Sequence, residues 1–147
     1  MICRMDDDTF WQLIDRCTPD VPDPDAELLA AALTTHLSAG PRTAVVGFAE
    51  QLSRALYQLD RREYGKDLSG DSFLYTRAAV VAAGRAVYER VLQDPVHFAP
   101  YADDFIWAEA LLYVPDTAYE RVTGEERDRA TRYSYESYAN ADGWTVA

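Results

Sequence analysis

No stretch of about 18 consecutive apolar residues occurs in this sequence, so no segment is predicted to cross a membrane as a helix. The opening "MICRMDDDTF" lacks the apolar centre of a secretory signal, and the expectation is a cytoplasmic protein. Cysteine is scarce. Cys3 and Cys17 are the only two, and without an export signal they read as reduced thiols rather than a disulfide. Cys3 is expected in a frayed terminus, and Cys17 on the apolar face of a first helix as a small core residue. A reactive Cys17 has only Arg16 as an electropositive neighbour in sequence.

Positive charge is also in short supply. Fourteen basic residues face 25 acidic ones, for a net charge of −11. Nucleic-acid binding needs a basic footprint against phosphates, and anionic membranes need the same, so both partners are excluded on charge. A basic partner protein would instead be attracted and steered in. Only Lys66 among the basic residues is lysine; with the abundant alanine, this suggests a GC-rich genome.

Histidine is as rare as cysteine. His36 falls on an apolar helical face with Ala32 and Gly40 as its four-residue neighbours, and His97 falls in the turn "DPVHFAPY". Neither has the spacing of a metal site or a catalytic base, so both read as core or loop residues and no metal or cofactor is implied. Asp20 and Asp23 in "TPDVPDPD" lack the central glycine and terminal glutamate of a calcium loop, and the interleaved prolines read as a stiff solvated linker. "YGKDLSGD" has no glycine-rich turn before its lysine and is not a phosphate-binding loop.

What remains is helical periodicity. A chain of 147 residues is one domain's length, able to bury about 70% of its unfolded surface without staples. Phe10, Leu13, Ile14 and Cys17 follow the i, i+3, i+4, i+7 rule behind Asp6, Asp7 and Asp8. A second helix starts near Asp25, buries Leu29, Ala32, Leu33, His36 and Leu37, and ends at Gly40. Pro41 opens a third, with Val45, Phe48, Ala49, Leu52, Leu56 and Leu59 inward. A long helix over 71–92 is capped by Asp71, with the stripe Phe73, Val80, Val81, Gly84, Val87, Tyr88 and Val91; Gly84 reads as a site of close helix packing. Another starts at Asp103 or Asp104, with Ile106, Trp107, Ala110, Leu111 and Tyr113 supplying bulk, and Pro115 opens a short one closed by Gly124. Only "RYSYESY" hints at strand alternation. The expectation is an all-α single domain, residues 1–126, of five or six helices in a bundle-like array. An irregular aromatic tail, 127–147, packs on the domain or on a partner.

Arg77 interrupts the stripe of the 71–92 helix, one turn after Phe73 and one turn before Val81. Three readings stand: a buried guanidinium paired with Asp15, Asp60, Asp103 or Glu109; a fork for an anionic ligand; or a side chain snorkelling to solvent. The surrounding "DSFLYTRAAVVAAGRAVYERVLQDP" resembles the signature of an uncharacterised bacterial family, domain of unknown function 4240, through Asp71, Phe73, Arg77, Gly84, Tyr88, Asp94 and Pro95. "DDTFWQLID", "FAEQLSRALYQLD" and "LLYVPDTAYERVTGEE" extend the resemblance to about Glu126. Family members often carry tryptophan two residues after the arginine, where this chain has Ala79. The resemblance implies relatives and a fold, not an activity.

Ten tyrosines complete the picture. Tyr57, Tyr88, Tyr113 and Tyr119 read as core-edge residues with polar tips. Tyr133, Tyr135 and Tyr138 lie with Trp144 in the tail, where such residues either cover the domain's own groove or dock on a partner. No catalytic constellation emerges, so the expected role is a small acidic binding or accessory protein, of adaptor or immunity type, engaging a protein partner. The alternative is a small enzyme or pathway accessory with an anionic-ligand pocket around Arg77. Binding candidates on either reading are Arg77, Tyr88, Tyr113, Tyr133, Tyr135, Tyr138 and Trp144.

Overall fold

The computed structural model describes residues 5–19, 26–127 and 131–145, and among these there is no strand, not even over "RYSYESY". Cys3 and the Asp20–Asp25 part of the proline-rich linker lie outside the described residues. Among the described residues nine α-helices follow one another: α1 Asp7–Cys17, α2 Ala26–Ser38, α3 Arg42–Gln58, α4 Arg62–Gly65, α5 Gly70–Ala82, α6 Arg85–Gln93, α7 Ala99–Asp103, α8 Val114–Thr123 and α9 Ala141–Trp144. Two 3₁₀ segments, Pro95–His97 and Glu109–Tyr113, lie between them. The expected five or six helices are therefore too few. Six helices have nine residues or more; the others span only four or five residues, too short to show a period.

Local chemistry explains most of the boundaries. Asp6 caps α1 by accepting the Thr9 amide at 2.8 Å, with Asp7 and Asp8 in the first turn facing the helix dipole. Gly124 ends α8 in the left-handed conformation, φ 75°, and Pro115 sits in its first turn as expected. Gly40 does not share the Gly124 role: only Gly84 and Gly124 have positive φ among the described glycines. Ser69, not Asp71, caps α5, accepting the Ser72 amide at 3.2 Å.

The expected helix over 71–92 is broken. Gly84 takes φ 102° and ψ 172°, a conformation open essentially to glycine alone, and starts α6 in a new direction. Its role is thus to turn the chain rather than to admit a neighbouring helix. Arg85, half-buried, then pairs with the exposed Glu89 at 3.0 Å and Asp8 at 2.6 Å. Nor does a helix start at Asp103: α7 ends there, and Ile106 and Trp107 lie in a loop.

The core joins α1, α2, α3, α5 and the 3₁₀ turn before α8, through Phe10, Ile14, Leu33, Leu52, Phe73 and Leu111, each fully enclosed or nearly so. α8 lies across α2 and α3. Gly65 presses against the Phe73 ring so closely that a Cβ there would sit 2.7 Å from it. Cys17 is half-buried against this core, and burial pushes its thiol pKa up, away from reactivity. His36 and His97 are both exposed, so the core reading of His36 fails: α2 turns it outward while Leu33 and Leu37 face in.

Candidate functional site

Arg77 is 0% exposed, the largest fully enclosed side chain among the described residues. Snorkelling is therefore overturned. Its Nη1 donates to the Leu56 carbonyl at 2.9 Å, and its Nη2 to the Tyr135 carbonyl and the Ser137 hydroxyl, each at 3.0 Å. Nε has no hydrogen-bond partner among the described residues, and the guanidinium carbon stands 4.5 Å from the centroid of the Phe73 ring. The expected carboxylate pair is replaced by carbonyls; no acid lies within ion-pair distance among the described residues. Burial pushes the guanidinium pKa down to about 10, and the charges of Asp60 and then Glu136 oppose that fall.

Asp60, just beyond α3, is equally buried. One carboxylate oxygen accepts the Tyr138 amide at 2.9 Å and the Trp144 indole N–H at 2.8 Å; the other accepts the Asn140 amide at 2.8 Å. The Ser137 hydroxyl donates to the Gly70 carbonyl at 2.6 Å, and the Asn140 side chain to the Tyr57 carbonyl at 3.3 Å. Residues 131–145 are thereby tied to α3, α5 and the segment between them. Tyr133 packs on Tyr57 at 4.9 Å, and Trp144 sits edge-on to Phe73 at 5.7 Å and to Tyr138 at 4.8 Å. Gly143 makes the closure possible: a Cβ there would lie 2.7 Å from the Asp60 carbonyl.

Of the candidate residues, this assembly gathers Arg77, Tyr133, Tyr135, Tyr138 and Trp144, and it uses them inside the fold. Tyr88 is separate. It is buried on α6, packed on Trp11 at 4.9 Å, and its hydroxyl donates to the Ala55 carbonyl at 2.7 Å and bonds the Gln58 side chain at 2.8 Å. Burial raises its pKa, as befits a core phenol.

Tyr113 lies elsewhere again, half-exposed, on a face that periodicity did not reveal. Phe105 is 68% exposed, Ile106 43%, Trp107 47% and Tyr113 54%. Trp107 stands 5.6 Å from Tyr75 and 6.4 Å from Phe105. The loop that displays them is well tied. Phe105 N–H donates to the Ala102 carbonyl at 3.4 Å, Ile106 N–H to Tyr101 at 2.9 Å and Ala108 N–H to Tyr75 at 3.1 Å. The first two bonds form a Schellman closure of α7, with Phe105 at φ 51° in the left-handed position that glycine normally occupies. A phenylalanine there costs about 1–2 kcal/mol relative to an unstrained backbone. Acids accompany the aromatic group: Asp103, Asp104 and Glu109 are its exposed neighbours in sequence, and Glu109, Asp71 and Glu136 act electrostatically on Tyr75. Tyr113 donates to Glu109 at 2.5 Å, a bond that, with burial, pushes its phenol pKa up to about 12. The signal for this face was the unbroken triplet "FIW" after two aspartates, which a helical frame absorbs as bulk.

No cluster of three or more metal-ligating side chains exists among the described residues, and no helix there is long and apolar enough to cross a membrane. A family model described as "Protein of unknown function (DUF4240)" matches residues 5–121. Arg77, Asp60 and the aromatic face lie within that span, whereas Tyr133, Tyr135, Tyr138 and Trp144 lie beyond it. No curated protein and no solved structure matches the chain.

Proposed function

The chain belongs to this family of proteins of unknown function, and from that premise we propose that it is a small acidic cytoplasmic binding protein of adaptor or immunity type. Its partner is a protein that presents basic residues around an apolar anchor. The observation that carries this reading is the outward display of Phe105, Ile106 and Trp107 on a loop whose backbone is strained at Phe105. Strain of this kind persists where function needs it, and burial of a few aromatic anchors dominates binding energy at interfaces. The neighbouring acids and the −11 net charge supply the complementary field for a basic partner.

An anionic-ligand pocket around Arg77 receives no support from the geometry: its terminal nitrogens are committed to protein acceptors.

The test begins with wild type and Trp107→Ser immobilised side by side and exposed to extract of the source cells. The expected result is one protein retained by wild type alone. That protein, identified and purified, should bind about tenfold or more weakly to Trp107→Ser, and its affinity for wild type should fall as salt rises. Identical retention on the two columns, including none on either, counts against the reading. So does self-association of wild type that Trp107→Ser abolishes, which would make the face a homodimer contact.

A further inference from the structure

A second surface, distinct from the aromatic face and opposite to it in sign, lies along α3. Arg42, Val46, Glu50 and Arg54 are spaced four residues apart and share one face of that helix. They floor an open cleft of about 690 Å³. One wall is Met5, held by the Gln51 side chain, which donates to the Met5 carbonyl at 2.9 Å. The other wall is Arg132 and Tyr133.

Both walls are fixed. The Arg132 amide donates to Glu50 at 3.1 Å, the Tyr133 ring rests on Tyr57 at 4.9 Å, and the segment beyond is anchored by Arg77. Gly47 allows the Met5 side to approach, since a Cβ there would meet the Met5 side chain at 2.8 Å. The groove thus exists before any ligand arrives, which limits the ordering cost of binding.

Its charge pattern is specific. Arg42, Arg54 and Arg132 are exposed, and none pairs with a carboxylate among the described residues. Arg42 and Arg54 are separated by about 18 Å along the helix, at a rise of 1.5 Å per residue. Glu50 lies between them and disfavours an anion at the centre, while Val46 offers apolar contact there and the Tyr133 ring, packed on Tyr57, lies toward the Arg54 end. A single phosphate cannot span such ends. An extended peptide covers about 18 Å in five to six residues.

We propose that this groove binds an extended acidic peptide segment, with a carboxylate near each end on Arg42 and Arg54, a neutral, partly apolar middle over Val46, and the Tyr133 ring beside the Arg54 end. Arg132, whose guanidinium lies over the Tyr133 ring at 5.4 Å, adds positive charge on the opposite wall. The chain then carries two recognition surfaces of opposite polarity, and either can be present without the other.

The experiment uses the full chain and two pools of acetylated, amidated hexapeptides with randomised middles, one with aspartate at both ends and one with asparagine. Sequences enriched from the aspartate pool should bind saturably and more weakly as salt rises. Arg42→Ala and Arg54→Ala should each reduce affinity about three- to fivefold, and the double variant about tenfold or more. Arg54→Lys should retain much of the binding, because end recognition here is by charge. Both positions are exposed, so the urea midpoint of each variant should match wild type, which separates loss of binding from loss of fold. Equal enrichment from the two pools, or none from either, overturns the proposal. So does indifference of the enriched peptides to the double variant. Full displacement by millimolar inorganic phosphate also overturns it, because the groove would then be a small-anion site.

Discussion

Arg77 and Asp60 are two buried charges of opposite sign that hold successive pieces of one segment: Arg77 takes the Tyr135 carbonyl and the Ser137 hydroxyl, and Asp60 takes the amides of Tyr138 and Asn140. They do not form a direct ion pair, yet Asp60 is the largest influence opposing the depression of the Arg77 pKa. Each makes the other's burial tolerable, and residues 135–144 supply two acceptors to Arg77 and three donors to Asp60.

Replacing either alone leaves the other charge buried without compensation. Arg77→Met should cost about 3–5 kcal/mol in urea unfolding, and Asp60→Asn a similar amount. The double variant Arg77→Met/Asp60→Asn should cost less than the sum by about 1 kcal/mol or more, since coupled sites fail to add. Strict additivity would show that the two charges act independently.

Phe105 and Gly124 occupy the same left-handed position at the ends of α7 and α8. Phe105→Gly should therefore stabilise the protein by about 1 kcal/mol, and Gly124→Ala should destabilise it by about as much. The stabilised Phe105→Gly should also lose partner binding, which is how stability and function trade at a working surface. A Phe105→Gly protein less stable than wild type would mean that the ring contributes more to the fold than its 68% exposure allows.

Tyr88 sets a limit at high pH. Its folded pKa lies above the unfolded value near 10, so the native state keeps a proton that the unfolded chain loses. Its contribution is complete below pH 10 and declines as pH climbs above that point. Tyr88→Phe should cost about 1 kcal/mol at pH 7, from the lost bonds to Ala55 and Gln58, and should show a shallower decline between pH 10 and 11.5. Urea midpoints across that range, with tyrosinate absorbance at 295 nm, measure both effects. Parallel declines in the two proteins would remove Tyr88 from the account.

Gly84 allows no side chain at φ 102° without strain. Gly84→Ala should lose about 1–3 kcal/mol even though the nearest heavy atom to a new Cβ, an Asp15 carboxylate oxygen, stands at a tolerable 3.4 Å. An unchanged urea midpoint would mean that the turn between α5 and α6 can be made in another conformation.

Helix identity was legible wherever a helix is long and half-buried, because periodicity needs two turns to declare itself. α1, α3 and α8 follow their apolar spacing and their punctuation by Asp6, Pro41 and Gly124. The break at Gly84 was hidden because Val80, Val81, Val87 and Val91 keep a helical spacing across it, and glycine is tolerated in helices often enough to pass. Arg77 announced itself by its place on the stripe, and Asp60 was among its four possible partners. Its actual acceptors were out of reach of any local pattern: carbonyls from Leu56 and Tyr135 have no side-chain signature. The aromatic face was missed for the opposite reason, since three adjacent apolar residues look like core until the backbone at Phe105 turns them out.

Chain synthesis gives the anchoring of residues 131–145 a temporal meaning. Arg77 is made 58 residues before the carbonyl of Tyr135, and Asp60 84 residues before the indole of Trp144. A nascent chain that has reached only α8 can bury its leucines and phenylalanines but must leave these two charges solvated or mispaired. Final consolidation therefore waits for the last contacts of long sequence separation, and a chain ending at Glu126 and released from the ribosome should be a protease-sensitive intermediate rather than a shortened native domain.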